Sequence, residues 1–258
     1  MPIITLTSDW NNNDFYVAAL KGRILSCCPE ATIVDITHKI QTYSTAQAAF
    51  VIKHSFRNFP DGTIHILAVN TEAGKDKPYI LLKSMNHYFI GCDNGLFMLF
   101  LEENPFEAVM IQSKDSNNGI DSFDVFAKTA AELINGKSLN QLGKEYKNLN
   151  RQVAMLPTID ESVINGSIVY IDSYKNAISN ITEELFEQIG KKRRFEIYVQ
   201  SNHYKINRIN TYYSETSVGE LLAIFNSTGC LEIAINNGNA ADLLNLSIGS
   251  AVRIKFYN

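Results

Sequence analysis

The pattern of apolar residues changes near Pro157, and this change constrains the fold more than any other feature of the 258-residue sequence. Before it, apolar runs typical of strands alternate with segments of helical spacing. This predicts an α/β domain with a mostly parallel central sheet over residues 1–157. After it, short apolar runs are separated by turn residues, which predicts a small all-β, barrel-like domain over residues 158–258.

Local signals place elements in the first part. The apolar run Ile3–Thr7 predicts a strand, and Asp14 is the predicted N-cap of the helix that follows. Ser44 and Gln47 have the spacing of a capping box, and a further helix is predicted over Ser122–Ile134.

Seven strands and one helix are predicted in the second part. The strands are Ser167–Asp172, Ala177–Ile181, Phe195–Gln200, Lys205–Tyr212, Leu221–Phe225, Cys230–Ile235 and Ala251–Phe256, and the helix is Glu183–Ile189.

Composition excludes several classes of function. The 23 basic and 27 acidic side chains give a net charge of −4, so a nucleic-acid partner is not expected. No apolar run approaches the ~18 residues that span a bilayer, so no membrane partner is expected either. The cysteines and histidines show no metal-ligand spacing, and no secretory signal is evident. We therefore expect a cytoplasmic protein with reduced thiols and no metal.

Two polar residues follow predicted strands. Asp9 comes after the first strand and Asn70 after the strand Thr63–Val69. Loops at the carboxyl ends of parallel strands bind ligands in open α/β sheets, and a carboxylate there can accept two hydrogen bonds from a ribose diol. The alternative is an aspartate that only caps a turn. No dinucleotide, triphosphate or hydrolase-elbow motif is present.

Several segments occur in a fixed order along nearly the whole chain: TLTSDWNNNDFYVAALKGRI, FPDGTIHILAVN, SFDVFAKTAA, IDSYKNAISNI and GELLAIFNSTGCLEIAINNGNAADLL. This ordered set resembles the S-adenosylmethionine hydroxide adenosyltransferase family, the hydrolase branch of the superfamily that includes the bacterial fluorinase and chlorinase. The resemblance implies a homotrimer that holds S-adenosylmethionine between the α/β domain of one subunit and the β domain of its neighbour. It implies that water attacks ribose C5′ and expels methionine, with S-adenosylmethionine as substrate and no further cofactor.

The resemblance also implies ligand contacts. Asp9 matches the aspartate that holds the ribose hydroxyls. Tyr43 matches an aromatic residue beside the sulfonium, where the alternative is a packed core aromatic. In the second domain the matched positions are Asp172 for the methionine amino group, Tyr174 for stacking, Asn176 for the adenine edge, Tyr213 (less favourably Tyr212) over adenine, Ser227 for the methionine carboxylate, and the backbone at Asn236 and Asn237 for adenine. The alternative for residues 172–176 is a simple hairpin turn.

The positions implied to handle the attacking water depart from the family pattern of Asp, Arg and His. Asn70, Lys77 and Asp121 stand there instead. Asp121 is expected to act as base or to orient the water, Lys77 to pair with it, and Asn70 to support it by a hydrogen bond. The alternative is a polar rim without turnover, in a protein that binds S-adenosylmethionine or adenosine and leaves it intact.

Halogenation is a third hypothesis and is not expected. Ser122 occupies the position at which the fluorinase holds halide with a serine, so Ser122 is a further candidate contact. However, Asn70 replaces an aromatic residue of the halogenases, and the long insertion that those enzymes have after Lys77 is absent. A negative Asp121 would also repel a halide.

Overall fold

The computed structural model of the protein describes residues 1–111, 122–201 and 203–257. The chain divides into two compact units, Met1–Val153 and Ala154–Asn258. Residues 154–157, which lie before the expected boundary, group with the second unit. There the Asn180 side chain donates a hydrogen bond to the Met155 carbonyl.

The first unit has seven strands and five helices in its described residues. The strands are β1 (Ile3–Ser8), β2 (Thr32–Thr37), β3 (Ile64–Ala68), β4 (Tyr79–Ser84), β5 (His87–Cys92), β6 (Glu107–Ile111) and β7 (Gly143–Glu145). The helices are α1 (Tyr16–Cys27), α2 (Thr45–Ser55), α3 (Leu96–Leu101), α4 (Ser122–Ile134) and α5 (Leu139–Leu142), with a 3-10 turn at Phe56–Asn58. The sheet order is β2-β1-β3-β5-β4-β6-β7.

The sheet of the first unit is mixed. β2, β1, β3 and β5 are parallel neighbours, while β4, β6 and β7 join through antiparallel pairs. The strands β1, β3, β4 and β5 are buried on both faces. Ile66 packs in a cluster with residues of α1 and α4, and its neighbour Leu67 packs in a second cluster with α2 and α3. Helices therefore cover both faces of the sheet, as the alternation of strands and helices predicts.

Two of the predicted helix caps differ from the structure. The N-cap of α1 is Phe15 rather than Asp14, and no side chain caps this helix. Ser44 does cap α2, accepting from the Gln47 amide at 3.3 Å, but the Gln47 side chain accepts from the Gln41 amide instead of completing the box. The sequence spacing identified the start of α2 and only half of its hydrogen bonding.

The second unit is built from short antiparallel strands. They are β8 (Thr158–Asp160), β9 (Val163–Ile171), β10 (Ala177–Thr182), β11 (Arg194–Val199), β12 (Lys205–Ile206), β13 (Leu221–Phe225), β14 (Cys230–Ile235) and β15 (Ala251–Tyr257). Two helices, α6 (Glu183–Gly190) and α7 (Ala240–Leu243), and a 3-10 turn at Tyr213–Glu215 complete its described part. The order is β12-β11-β15-β9-β10-β14-β13, with β8 paired to β9.

The two ends of this sheet approach each other, which gives a barrel-like shape. β12 lies at one end and β13 at the other, and the Asn210 amide, which follows β12, donates to the Ala223 carbonyl on β13 at 2.8 Å. The predicted strand Lys205–Tyr212 is wrong beyond Ile206, because the chain leaves β11 there and crosses to β13. No helix among the described residues is long and apolar enough to cross a membrane.

A buried histidine pair inside the first unit makes its stability depend on pH. His65 Nδ1 lies 2.7 Å from Thr5 Oγ1, and His65 Nε2 lies 3.1 Å from His87 Nδ1. Burial first, and then the charge of His87, lowers the pKa of His65 from 6.5 to about 3. Between these two pH values the unfolded chain binds a proton that the folded chain does not.

The contribution of His65 to the free energy of unfolding is therefore expected to be present in full above pH 6.5. It is expected to be lost as the pH decreases toward 3. The expected loss from His65 at pH 5 is about 2 kcal/mol. Urea unfolding at pH 7 and pH 5 measures the pH dependence, and His65→Gln, which keeps a donor and an acceptor, is expected to reduce the difference by about the contribution of His65. An equal difference in the variant would contradict the assignment.

Candidate functional site

Asp9 joins three loops at the carboxyl ends of adjacent strands. It directly follows β1, and its Oδ2 accepts hydrogen bonds from the amides of Tyr43 at 2.9 Å and Asn70 at 3.2 Å. Tyr43 lies on the loop after β2, and Asn70 lies on the loop after β3. Asp9 Oδ1 makes no hydrogen bond within the described part of the chain, so one carboxylate oxygen is left to accept hydrogen bonds from a ligand.

The two residues that Asp9 holds have unusual backbone conformations. Tyr43 has φ of 65° and Asn70 has φ of 49°, both in the left-handed region. Such residues persist where surrounding contacts hold them, and they concentrate at functional sites. The Tyr43 side chain is 70% exposed, so its alternative interpretation as a packed core aromatic is wrong.

Asn94 supports the Asn70 loop from behind. Its Nδ2 donates to the Val69 carbonyl at 2.8 Å and to the Asn70 carbonyl at 3.3 Å. The next residue, Gly95, has φ of 93°, and a Cβ there would lie 2.5 Å from the Gln152 side chain. The Asp93-Asn94-Gly95 turn thus braces the end of β3, a role that sequence reasoning missed although the turn itself was visible.

Ser8 and His38 form a second support beneath Asp9. Ser8 Oγ lies 2.7 Å from His38 Nδ1, and His38 Nε2 lies 3.1 Å from Asp35 Oδ1. Burial opposes ionisation of Asp35, but hydrogen bonds from Lys21 and His38 lower the pKa of its carboxyl group. Ser8 and His38 are buried. They were not among the sequence candidates, and their contact joins the ends of β1 and β2.

Of the three candidate residues for handling the water, one lies in the cluster around Asp9. Asn70 lies in the cluster around Asp9, whereas Lys77 ends a tight hairpin in which the amides and carbonyls of Gly74 and Lys77 pair. The Lys77 side chain is exposed and makes no hydrogen bond or ion pair with any described residue. Asp121 lies outside the described residues. Ser122 is described and is the first residue of α4.

In the second unit, Asp172 organises the turn between β9 and β10. Its Oδ1 accepts from the amides of Tyr174 at 2.9 Å and Asn176 at 2.8 Å, and its Oδ2 accepts from the Asn176 side chain at 3.3 Å. Asn176 is buried, whereas the Tyr174 side chain is 77% exposed. The segment is a hairpin turn, as its plainer interpretation stated, and it presents an aromatic ring to solvent.

Tyr213 lies near this turn and is anchored to β14. Its hydroxyl donates to Glu232 Oε1 at 2.7 Å, and Glu232 Oε2 accepts from the Asn226 side chain at 2.9 Å. Burial first, and then the hydrogen bond and charge of Glu232 and the charge of Asp172, raise the pKa of the Tyr213 phenol. Ser227 follows Asn226 in the exposed turn between β13 and β14. Glu232 was missed, although a charge inside the apolar strand CLEIAI signals it.

The two candidate asparagines after β14 differ in their contacts. The Asn236 side chain donates to the Thr216 carbonyl at 2.7 Å, and the Asn236 carbonyl accepts from the Gly219 amide at 2.8 Å. Asn237 is exposed and has φ of 52°. Asn236 thus ties the end of β14 to the segment that follows Tyr213.

No group of three or more His, Cys, Asp or Glu side chains among the described residues is arranged to hold a metal ion.

Two domain models cover most of the chain. The SAM hydroxide adenosyltransferase N-terminal domain matches residues 4–143, and the C-terminal domain of the same family matches residues 166–253. The chain belongs to the SAM hydroxide adenosyltransferase family. The resemblance stated from the sequence segments is confirmed.

Full-length relatives of this SAM hydroxide adenosyltransferase family member include hydrolases and a halogenase. The chain is 27% identical to the (R)-S-adenosyl-L-methionine hydrolase of Methanocaldococcus jannaschii over 98% of its length and 96% of that protein. It is 24% identical to the fluorinase of an Actinoplanes species, with 98% and 97% covered. A solved structure from Thermotoga maritima, described as an uncharacterized conserved protein, is similar with a TM-score of 0.87 and 26% identity, covering 98% of this chain and 99% of that one.

Proposed function

We propose that the chain hydrolyses S-adenosyl-L-methionine to adenosine and L-methionine. A water oxygen forms the new bond to ribose C5′ while the C5′–S bond breaks, and the bonding electron pair stays on sulfur. The sulfonium thus leaves as the neutral thioether of methionine, and the water proton passes to a base. In-line displacement needs the water, C5′ and sulfur held in line and shielded from bulk water.

The observation that supports this proposal most directly is the Asp9 cluster. Asp9 lies at the carboxyl end of β1, fixes the Tyr43 and Asn70 loops through Oδ2, and keeps Oδ1 for a ligand. A ribose diol supplies the donors that such an oxygen accepts. The Tyr43 ring on the neighbouring loop is exposed, and an aromatic face attracts a sulfonium cation.

The second unit is proposed to bind the two ends of the substrate. Asp172 is negative and suits the methionine amino group, while Asn176, Tyr174 and Tyr213 suit the edge and faces of adenine. Ser227 is proposed to contact the methionine carboxylate. Asn236 and Asn237 are proposed to contact adenine through their backbone, and Ser122, at the start of α4, is proposed as a further substrate contact.

The water is proposed to be handled by Asp121, Lys77 and Asn70. Asp121 accepts the proton or orients the water, Lys77 balances its charge, and Asn70 supports it by a hydrogen bond. The held conformation of the Asn70 loop supports a role for Asn70.

We also propose a cytoplasmic homotrimer in which the α/β unit of one subunit and the β unit of its neighbour bind the same ligand. Each unit holds only part of the predicted contacts, which supports this assembly. Light scattering tests the trimer: a monomer at micromolar concentration would contradict it. The four free cysteines suit a reducing compartment.

A second candidate is a protein that binds S-adenosylmethionine or adenosine without turnover, and the changed residue types at 70, 77 and 121 favour it. Halogenation has less support. The alignment with the Actinoplanes fluorinase extends over 289 positions for a chain of 258 residues, so that protein has residues that this chain lacks.

Incubation of the purified protein with the separated (R) and (S) sulfonium diastereomers tests the proposal, since the Methanocaldococcus jannaschii relative is named as a hydrolase of the (R) form. Chromatography is expected to show adenosine and methionine formed in equal amounts, faster from the (R) form. Intact ligand that co-purifies with the protein would support the binding protein instead. A 5′-halo nucleoside formed only with added chloride or fluoride would support the halogenase.

A further inference from the structure

We propose that Glu232 is a positioning residue that fixes Tyr213 against the adenine and the Asn226–Gly229 turn against the methionine part of the ligand. This inference rests on the proposed function and extends it to a residue that does not touch the substrate.

Glu232 is a buried acid on a strand that is otherwise apolar. It is 2% exposed and lies in the middle of β14, between β10 and β13. Leu231 and Ile233 point into the main core, while Ala234 forms a separate cluster with Leu222 and Ile224 of β13. Because side chains alternate along a strand, Glu232 faces the same side as Ala234, away from the main core.

Burial of this side chain needs compensation. No described Lys, Arg or His forms an ion pair with Glu232, so hydrogen bonds must offset its loss of hydration. Two are present, from the Tyr213 hydroxyl at 2.7 Å and the Asn226 side chain at 2.9 Å. Hydrogen bonds to a carboxylate are shorter and stronger than those to a neutral acceptor.

Both donors belong to segments that have predicted ligand contacts. Tyr213 is the predicted aromatic over adenine, and it is 42% exposed although its hydroxyl is anchored. Asn226 precedes Ser227, and Asn226 Oδ1 accepts from the amide and hydroxyl of Thr228, which closes the turn. A single buried group therefore sets the orientation of two ligand-facing segments.

The donor pattern allows a specific substitution pair. The side chain of Glu232→Gln has one acceptor oxygen and one NH2 group, so it cannot accept at both of the positions where the two carboxylate oxygens accept from Tyr213 and Asn226. In Glu232→Gln/Asn226→Asp the amide donates to the new carboxylate and its oxygen accepts from Tyr213, which restores both hydrogen bonds. The new carboxylate also keeps the acceptor for Thr228.

Calorimetric titration with adenosine tests the role. Glu232→Gln is expected to weaken adenosine binding about tenfold and to raise KM for S-adenosylmethionine with kcat within about threefold, because adenine is remote from the breaking bond. The double variant is expected to restore the affinity to within about threefold. The matched control is Ser179→Ala. This substitution removes a buried hydrogen bond from Ser179 on β10 to the carbonyl of Leu231, which precedes Glu232 on β14. It is expected to lower Tm without changing the affinity for adenosine.

An affinity of Glu232→Gln within twofold of the parent, or a folded double variant without recovery, would overturn the role. If Glu232→Gln does not fold, Tyr213→Phe removes only the hydroxyl and is expected to show the same tenfold loss; an unchanged affinity there would overturn it equally. If the parent protein binds neither adenosine nor S-adenosylmethionine, the proposed function itself fails.

Discussion

Asp9→Ala is expected to weaken adenosine binding about 10- to 100-fold. The substitution removes the acceptor for two backbone amides, which lie on loops 34 and 61 residues away in the chain, and it removes the free oxygen proposed for the ribose. Without these hydrogen bonds the left-handed conformations of Tyr43 and Asn70 lose their support. Titration calorimetry with adenosine measures the effect.

Two comparisons separate the ribose contact from the support of the loops. Asp9→Asn keeps an oxygen for the two amides but places an amide group where the ribose contact is proposed. The parent protein is expected to prefer adenosine over 2′,3′-dideoxyadenosine, and both variants are expected to lose most of this preference. An undiminished preference in Asp9→Asn would show that Asp9 only holds the loops.

Asp121→Asn is expected to lower kcat about 100-fold and to leave KM for S-adenosylmethionine within about threefold. The expectation follows from its proposed role as base or water orienter, which matters in the transition state and not in substrate binding. Steady-state kinetics with the purified variant measures both constants.

Glu132→Gln is the control for Asp121→Asn. Glu132 lies on α4 and forms a surface ion pair with Lys137. Glu132→Gln replaces a carboxylate by an amide, so it changes the net charge of the protein by the same amount as Asp121→Asn. Its kinetics are expected to match those of the parent. An unchanged kcat in Asp121→Asn would exclude Asp121 from the chemical step and favour direct attack by an unassisted water.

The sequence predicted the elements whose apolar spacing is regular. The helix over Ser122–Ile134 has the predicted bounds, and β1 differs from its prediction by one residue. In both elements a continuous buried face determines the type of secondary structure and its extent. The prediction was wrong for Lys205–Tyr212, where β-favouring residues lead away from the sheet after two residues. The strand propensity of single residues does not show where a strand stops pairing with its neighbour in the sheet.

The candidate site was predictable to a similar degree. Asp9 and Asn70 were identified because polar residues follow apolar strands, but their hydrogen bond joins residues far apart in sequence and could not be derived from local pattern. Glu232 was missed although its charge interrupts the apolar strand CLEIAI, because the strand pattern does not show which residues cover that charge. Its burial becomes evident only from the segment around Tyr213 that covers it.

In the proposed reaction, water displaces methionine from ribose C5′. Incubation of the protein with S-adenosylmethionine in ¹⁸O-water, followed by mass spectrometry of the nucleoside, tests it most directly. The adenosine is expected to contain one ¹⁸O at the 5′ oxygen, and the methionine is expected to be unlabelled. Unlabelled adenosine, or S-adenosylmethionine that stays intact while bound, would contradict it.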